Sequence, residues 1–260
     1  MRRATIMVGF AVATMMWIDS AFAGVTTMTP SKDNTLYESA TGALSNGAGQ
    51  FLFVGRTNQK NGSIRRALIA FDVASTLPAG AKIRSAQLTL TMSQTIAGSE
   101  SVVLRRASAD WGEGTSDAQI MGGGGGTAAT TGDATWLHRF FSTDLWTNAG
   151  GDFVASVSAS ISISGNGDYT WGSTPAMVAD VQGWLDDPTN NFGWLLQGDE
   201  QSAGTAKRFN TRENLDTTSV PELTIEFDPP RPAAPTLSSV SLLVLAALLT
   251  LIAARRLHLT

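Results

Sequence analysis

Three carboxylates, Asp110, Glu113 and Asp117, lie close together in one stretch, with Gly112 and Gly114 between them. Glycine admits tight turns, and oxygen ligands on a turning loop are the chemistry of Ca²⁺. These three are the expected calcium site, although their spacing is not that of an EF-hand; the plainer reading is a solvated acidic loop. Trp111, Trp136 and Trp171 fall in loop-like sequence. Flat aromatic faces stack on sugar rings, so these three are the expected carbohydrate platform. Trp184 and Trp194 fall on apolar periodicities and read as core. Arg65 and Arg66 precede a strand-like run and Asp72 follows it. A paired Arg–Asp network at a sheet edge is the simplest role for them.

The inventory for catalysis is thin. His138 is the only histidine outside the C-terminal segment, and the chain has no Cys. No Gly-x-Ser-x-Gly elbow, thiol nucleophile or histidine cluster for zinc is present. A lyase would want a Tyr or His base, and only Tyr37 and Tyr169 supply the former. A glycosidase needs only two carboxylates, so a lyase or hydrolase stays as the third reading. The run Gly122–Gly126 lacks phosphate-loop spacing and a following Lys-Ser/Thr, which excludes nucleotide binding by that motif. The expectation is a protein that is not an enzyme.

The elements that must carry these residues are mostly strands. Ala67, Ile69 and Phe71 alternate with Leu68, Ala70 and Asp72, and Leu88, Leu90 and Met92 alternate with Gln87, Thr89 and Thr91. From Phe153 to Ile163 apolar residues alternate with a row of serines, and Leu223, Ile225 and Phe227 alternate with Thr224 and Glu226. Such period-two patterns predict antiparallel strands with one face inward. Shorter strands are expected at 51–54, 101–105, 194–196 and 208–211. Thr174-Pro175 opens the stripe Met177, Val178, Val181, Trp184 and Leu185, which predicts one short helix ending before Pro188. Residues 112–133 show almost no periodicity and read as a long loop. The fold class expected is all-β, a single jelly-roll β-sandwich with one short helix.

Both ends read as addresses. Arg2-Arg3, an apolar run from Ile6 to Ile18 and Ala21-Phe22-Ala23 make a signal peptide over residues 1–23, the substrate of a signal peptidase. The domain follows at 24–228. Residues 229–236 form a Pro-rich linker, stiff and extended. Residues 237–260 then hold an uncharged run closed by Arg255-Arg256, expected as a C-terminal transmembrane sorting helix. The chain carries 18 Lys and Arg against 22 Asp and Glu. Without the terminal segments the balance falls to about −7, which argues against nucleic acid as a partner.

Pro235-Thr236-Leu237, the apolar run and the terminal Arg pair together resemble the bacterial Pro-Thr-Leu type of C-terminal sorting signal. The resemblance implies an exosortase-like processing enzyme at the inner membrane. Ala234 stands where that signal usually has Ile.

A second resemblance rests on short stretches read in order. They are Asp33-Asn34-Thr35-Leu36-Tyr37, Phe53-Val54-Gly55-Arg56, Arg65-Arg66-Ala67-Leu68 with Phe71-Asp72, Pro78-Ala79-Gly80-Ala81 and Ser85-Ala86-Gln87-Leu88. Asp110-Trp111-Gly112-Glu113-Gly114, Asp133-Ala134-Thr135-Trp136, Trp184-Leu185, Lys207-Arg208-Phe209 with Arg212-Glu213-Asn214, and Pro221-Glu222-Leu223 continue the series. The set resembles the DNRLRE-domain family of secreted β-sandwich proteins, some of which are carbohydrate-binding modules. The resemblance implies a jelly roll and binding of extracellular polysaccharide. The expected protein is therefore exported, held in the cell envelope at least transiently through its C-terminal segment, and non-catalytic. The alternative is a structural surface or matrix protein without a small ligand.

Overall fold

The computed structural model describes residues 23–230 and, near the C-terminus, residues 247–249, 251–252 and 254–255. The expected signal peptide, apart from Ala23, lies outside the described residues, as do 231–246. Residues up to Pro230 form one compact unit and Arg231–Thr260 a second. In the second unit the described residues are helical. Among the described residues no helix is long and apolar enough to cross a membrane.

The first unit is built from β1 (Gly24–Met28), β2 (Lys32–Tyr37), β3 (Leu44–Ser45), β4 (Phe51–Arg56), β5 (Ile64–Ala70), β6 (Lys82–Thr95), β7 (Glu100–Arg106) and β8 (Thr127–Ala128). It continues with β9 (His138–Phe140), β10 (Asp144–Leu145), β11 (Ala159–Ile163), β12 (Gly167–Trp171), β13 (Trp194–Gln197), β14 (Lys207–Asn210) and β15 (Glu222–Asp228). Two helices, α1 (Val73–Thr76) and α2 (Pro175–Asp186), interrupt the strands. The all-β expectation holds.

The large sheet runs β1-β15-β6-β14-β4-β5-β13-β7-β11, with β12 added to β6 and β2 to β5. Its pairings are antiparallel. The sheet curls, so that β4, β5, β7 and β13 share one core with β6, β14 and β15. On β6 the buried set is Ile83, then Ala86, Leu88, Leu90 and Met92. The change of parity is a bulge: Ser85 faces Glu226 and Ile83 faces Phe227, leaving Arg84 as the extra residue. Helix α2 covers this core with Met177, Val181, Trp184 and Leu185, and Thr174 caps it by accepting from the Met177 N–H. The sequence reading of this helix matches, but it is not alone: the single-turn α1, capped by Asp72, was not expected.

Two strand expectations need correction. Leu68 and Ala70 were expected on a solvent face, yet both are buried. They belong to a second apolar cluster with Leu36, Leu195, Ala134, Trp111 and Trp146 on the other side of β5. The chain between β7 and β11 lies over that face. The serine-rich segment forms a strand only over β11. Before it, Phe153 makes a single bridge to Ala107 and Val157 is 40% exposed. Phe153 packs against the second cluster instead of continuing the ladder.

Candidate functional site

At one end of β2, three acidic side chains from distant parts of the chain converge. Asp33 comes from β2, Glu113 from the loop after β7, and Glu213 from the turn after β14. One carboxylate oxygen of each lies within 4.8 Å of one from each of the others. Asp33 is fully buried. Its N–H donates to Glu113 Oε1 at 2.8 Å, and its Oδ2 accepts the Arg212 N–H at 3.0 Å. Arg212 lies alongside: its guanidinium forks onto Glu113 through Nε and Nη2 at 2.9 and 2.5 Å. Its Nε also sits 2.8 Å from Glu213 Oε1.

The neighbouring backbone fixes this geometry. Asn34 Nδ2 donates to the Glu113 and Ala134 carbonyls, and Asn34 Oδ1 accepts from Ser45 and the Asn46 N–H. Gly112 and Gly114 flank Glu113 where side chains do not fit. A Cβ on Gly112 would lie 1.8 Å from the Gly132 carbonyl, and one on Gly114 would lie 1.5 Å from Asp133 Oδ1. Burial, then the Glu213 charge, pushes the Asp33 carboxyl well above its ordinary range. Burial pushes Glu213 up to about 7. Asp33 Oδ1 and Glu213 Oε2 are buried and accept no hydrogen bond among the described residues.

The expected calcium trio does not assemble. Asp110 turns outward to Lys32 Nζ at 2.8 Å. Asp117 is exposed and accepts from Gln119 Nε2. Among the described residues only Glu113 of the three joins a group of acidic ligands. Asp33 and Glu213 were not singled out as ligands, because they stand 80 positions before and 100 positions after Glu113 in sequence, and no local spacing marks them.

The tryptophans also correct an expectation. Trp171 is fully buried in the main core, where its indole N–H donates to the Val102 carbonyl. Trp111 is buried in the second cluster, its N–H on the Phe192 carbonyl and Lys32 Nζ over its ring. Trp136 is half-buried, stacked under the Arg66 guanidinium and against Gly150. Trp111 and Trp136 fill the space between loop and sheet, and Trp171 ends strand β12 and points into the main core, so the three share no open face. The Arg–Asp network is absent too. Arg66 forks onto Glu200. Arg65 is buried and donates to the Gly62, Ile64 and Gly124 carbonyls. Asp72 caps α1 by accepting from the Ser75 N–H.

A second place has binding character. An open groove of about 440 Å³ is lined by Phe53, Asn58, Gln94, Ile96, Gly122 and Arg208 among others. Ile96 is 77% exposed at its rim. Arg208 stacks on the Phe51 ring at 3.9 Å, and its Nε donates to Ser93 Oγ at 3.1 Å. Among the described residues neither of its Nη atoms makes a hydrogen bond and no carboxylate pairs with it. Lys207 lies under the groove, buried and held by the Gly98 and Ser164 carbonyls. The glycine run closes one wall against aromatic rings. The Tyr37 hydroxyl donates to the Gly123 carbonyl, and a Cβ on Gly126 would meet the Tyr37 ring at 3.1 Å. Compared with known proteins, the chain matches no family model and no curated protein.

Proposed function

We propose that the chain is a non-catalytic, exported cell-envelope protein whose jelly-roll sandwich of the DNRLRE type binds extracellular polysaccharide. The groove beside Arg208 carries this reading. It offers what a sugar chain needs: an apolar wall in Phe53 and Ile96, side-chain amides in Asn58 and Gln94, and a stacked guanidinium whose Nη atoms have no partner among the described residues. Pyranose rings present apolar faces and hydroxyl edges together, and such sites pair apolar surface with a few placed donors. This moves the proposed contact from the loop tryptophans to the groove. Signal peptidase would release the N-terminus, and an exosortase-like enzyme would act on the membrane-held C-terminal segment.

The test is affinity electrophoresis of the full chain in mild detergent through gels containing a panel of bacterial polysaccharides. Retardation on at least one is expected. Arg208→Ala should weaken it by about tenfold to a hundredfold, the loss of one charge-assisted hydrogen bond. No retardation of the folded protein on any gel would favour a structural envelope role. Release of reducing or unsaturated sugars would favour a lyase or hydrolase.

A further inference from the structure

We propose that Asp33, Glu113 and Glu213 bind one Ca²⁺ ion, which ties β2, the loop after β7 and the turn after β14 together. The acidic cluster alone would not carry this. The orphaned oxygens do. Of the five buried side-chain N and O atoms without a partner among the described residues, two are Asp33 Oδ1 and Glu213 Oε2. A buried carboxylate oxygen normally has a donor, and an unsatisfied one is strongly unfavourable. Both atoms belong to residues of the cluster, each of which brings one carboxylate oxygen within 4.8 Å of the others.

Size admits calcium: calcium–oxygen bonds run about 2.3–2.6 Å, so oxygens around one ion can stand up to about 4.6–5.2 Å apart, and the three lie within 4.8 Å of one another. Hydration favours it over magnesium, which demands near-ideal octahedral geometry and gives up its water reluctantly, whereas calcium accepts an irregular all-oxygen set. Oxygen ligands alone also disfavour zinc and copper. Charge gives the same answer. Three carboxylates face one guanidinium, Arg212, and Lys32 is already committed to Asp110. With all three carboxylates ionised the residual is two negative charges in a largely buried site, which one divalent cation would cancel. Arg212 leaves room for it, because its fork engages Glu113 and only Oε1 of Glu213.

The experiment is calorimetric titration of the chelator-stripped full chain with CaCl₂ and, separately, MgCl₂, paired with thermal unfolding under each condition. The expected result is one calcium per chain, a higher Tm with calcium, and a clearly smaller shift with magnesium. Asp33→Asn and Glu213→Gln should each weaken calcium binding by at least about tenfold. Glu213 is partly exposed, so its variant keeps the test open if Asp33→Asn does not fold. Absence of binding at millimolar calcium, a calcium effect that survives in Glu213→Gln, or equal shifts with magnesium would each overturn the proposal. None of these outcomes depends on whether the groove holds a glycan.

Discussion

Arg212 is the residue on which the acidic cluster turns. Its backbone N–H serves Asp33 and its side chain serves both glutamates. A guanidinium presents donors in a planar fork, and the Glu113 contact uses that fork fully. An ammonium keeps the charge but loses the fork. Arg212→Lys therefore should destabilise the protein by about 1–2 kcal/mol, less than for a fully buried pair because the arginine is partly exposed. Chemical denaturation in chelator reads this directly. A stability equal to wild type would mean that charge alone, without geometry, holds the carboxylates. The sequence made Glu113 visible through its neighbours. It hid Asp33 and Glu213, because their convergence depends on strand β2 lying beside the returns of two long connections.

At the scale of elements, Trp111-Gly112-Glu113-Gly114 works as one device. The tryptophan anchors it in the second cluster, and the two glycines let the backbone touch Gly132 and Asp133 so that Glu113 meets Arg212. Gly114 has φ +71°, where L side chains are strained by about 1–2 kcal/mol, and its Cβ would collide with Asp133 Oδ1. Gly114→Ala should lower Tm sharply and weaken calcium binding. Gly125→Ala, where an added Cβ meets nothing within 4 Å, should leave both unchanged. Equal effects would show that the glycines matter only through chain entropy. Much of this layer was legible in the sequence. The alternation in β6 and β15 and the capped stripe of α2 are local patterns, and tertiary contacts only confirm them. Trp111 and Trp136 were misread because burial by a folded-back loop leaves no periodicity to detect, and Trp171 because its strand is only five residues long.

The whole unit is held by two apolar clusters on opposite faces of one strand. Ile69 faces the main core and Leu68 the second, and β5 also carries hydrogen bonds to β2, β4 and β13. The unbroken apolar run Ala67-Leu68-Ile69-Ala70-Phe71 was the available sign of a strand covered on both faces. A strand shared in this way couples its two sides, because melting either cluster exposes the other face of the same backbone. The loop carrying Trp111 and Trp146 is then no independent flap. Unfolding of residues 23–230 should be one transition, with tryptophan fluorescence and far-ultraviolet circular dichroism coinciding. Trp111→Ala should shift that single transition down by about 3–5 kcal/mol, the usual effect of emptying a large buried aromatic site. If the loop were only draped on a finished sheet, the two signals would separate. Trp111→Ala would then move the fluorescence step and leave the dichroism step where it was.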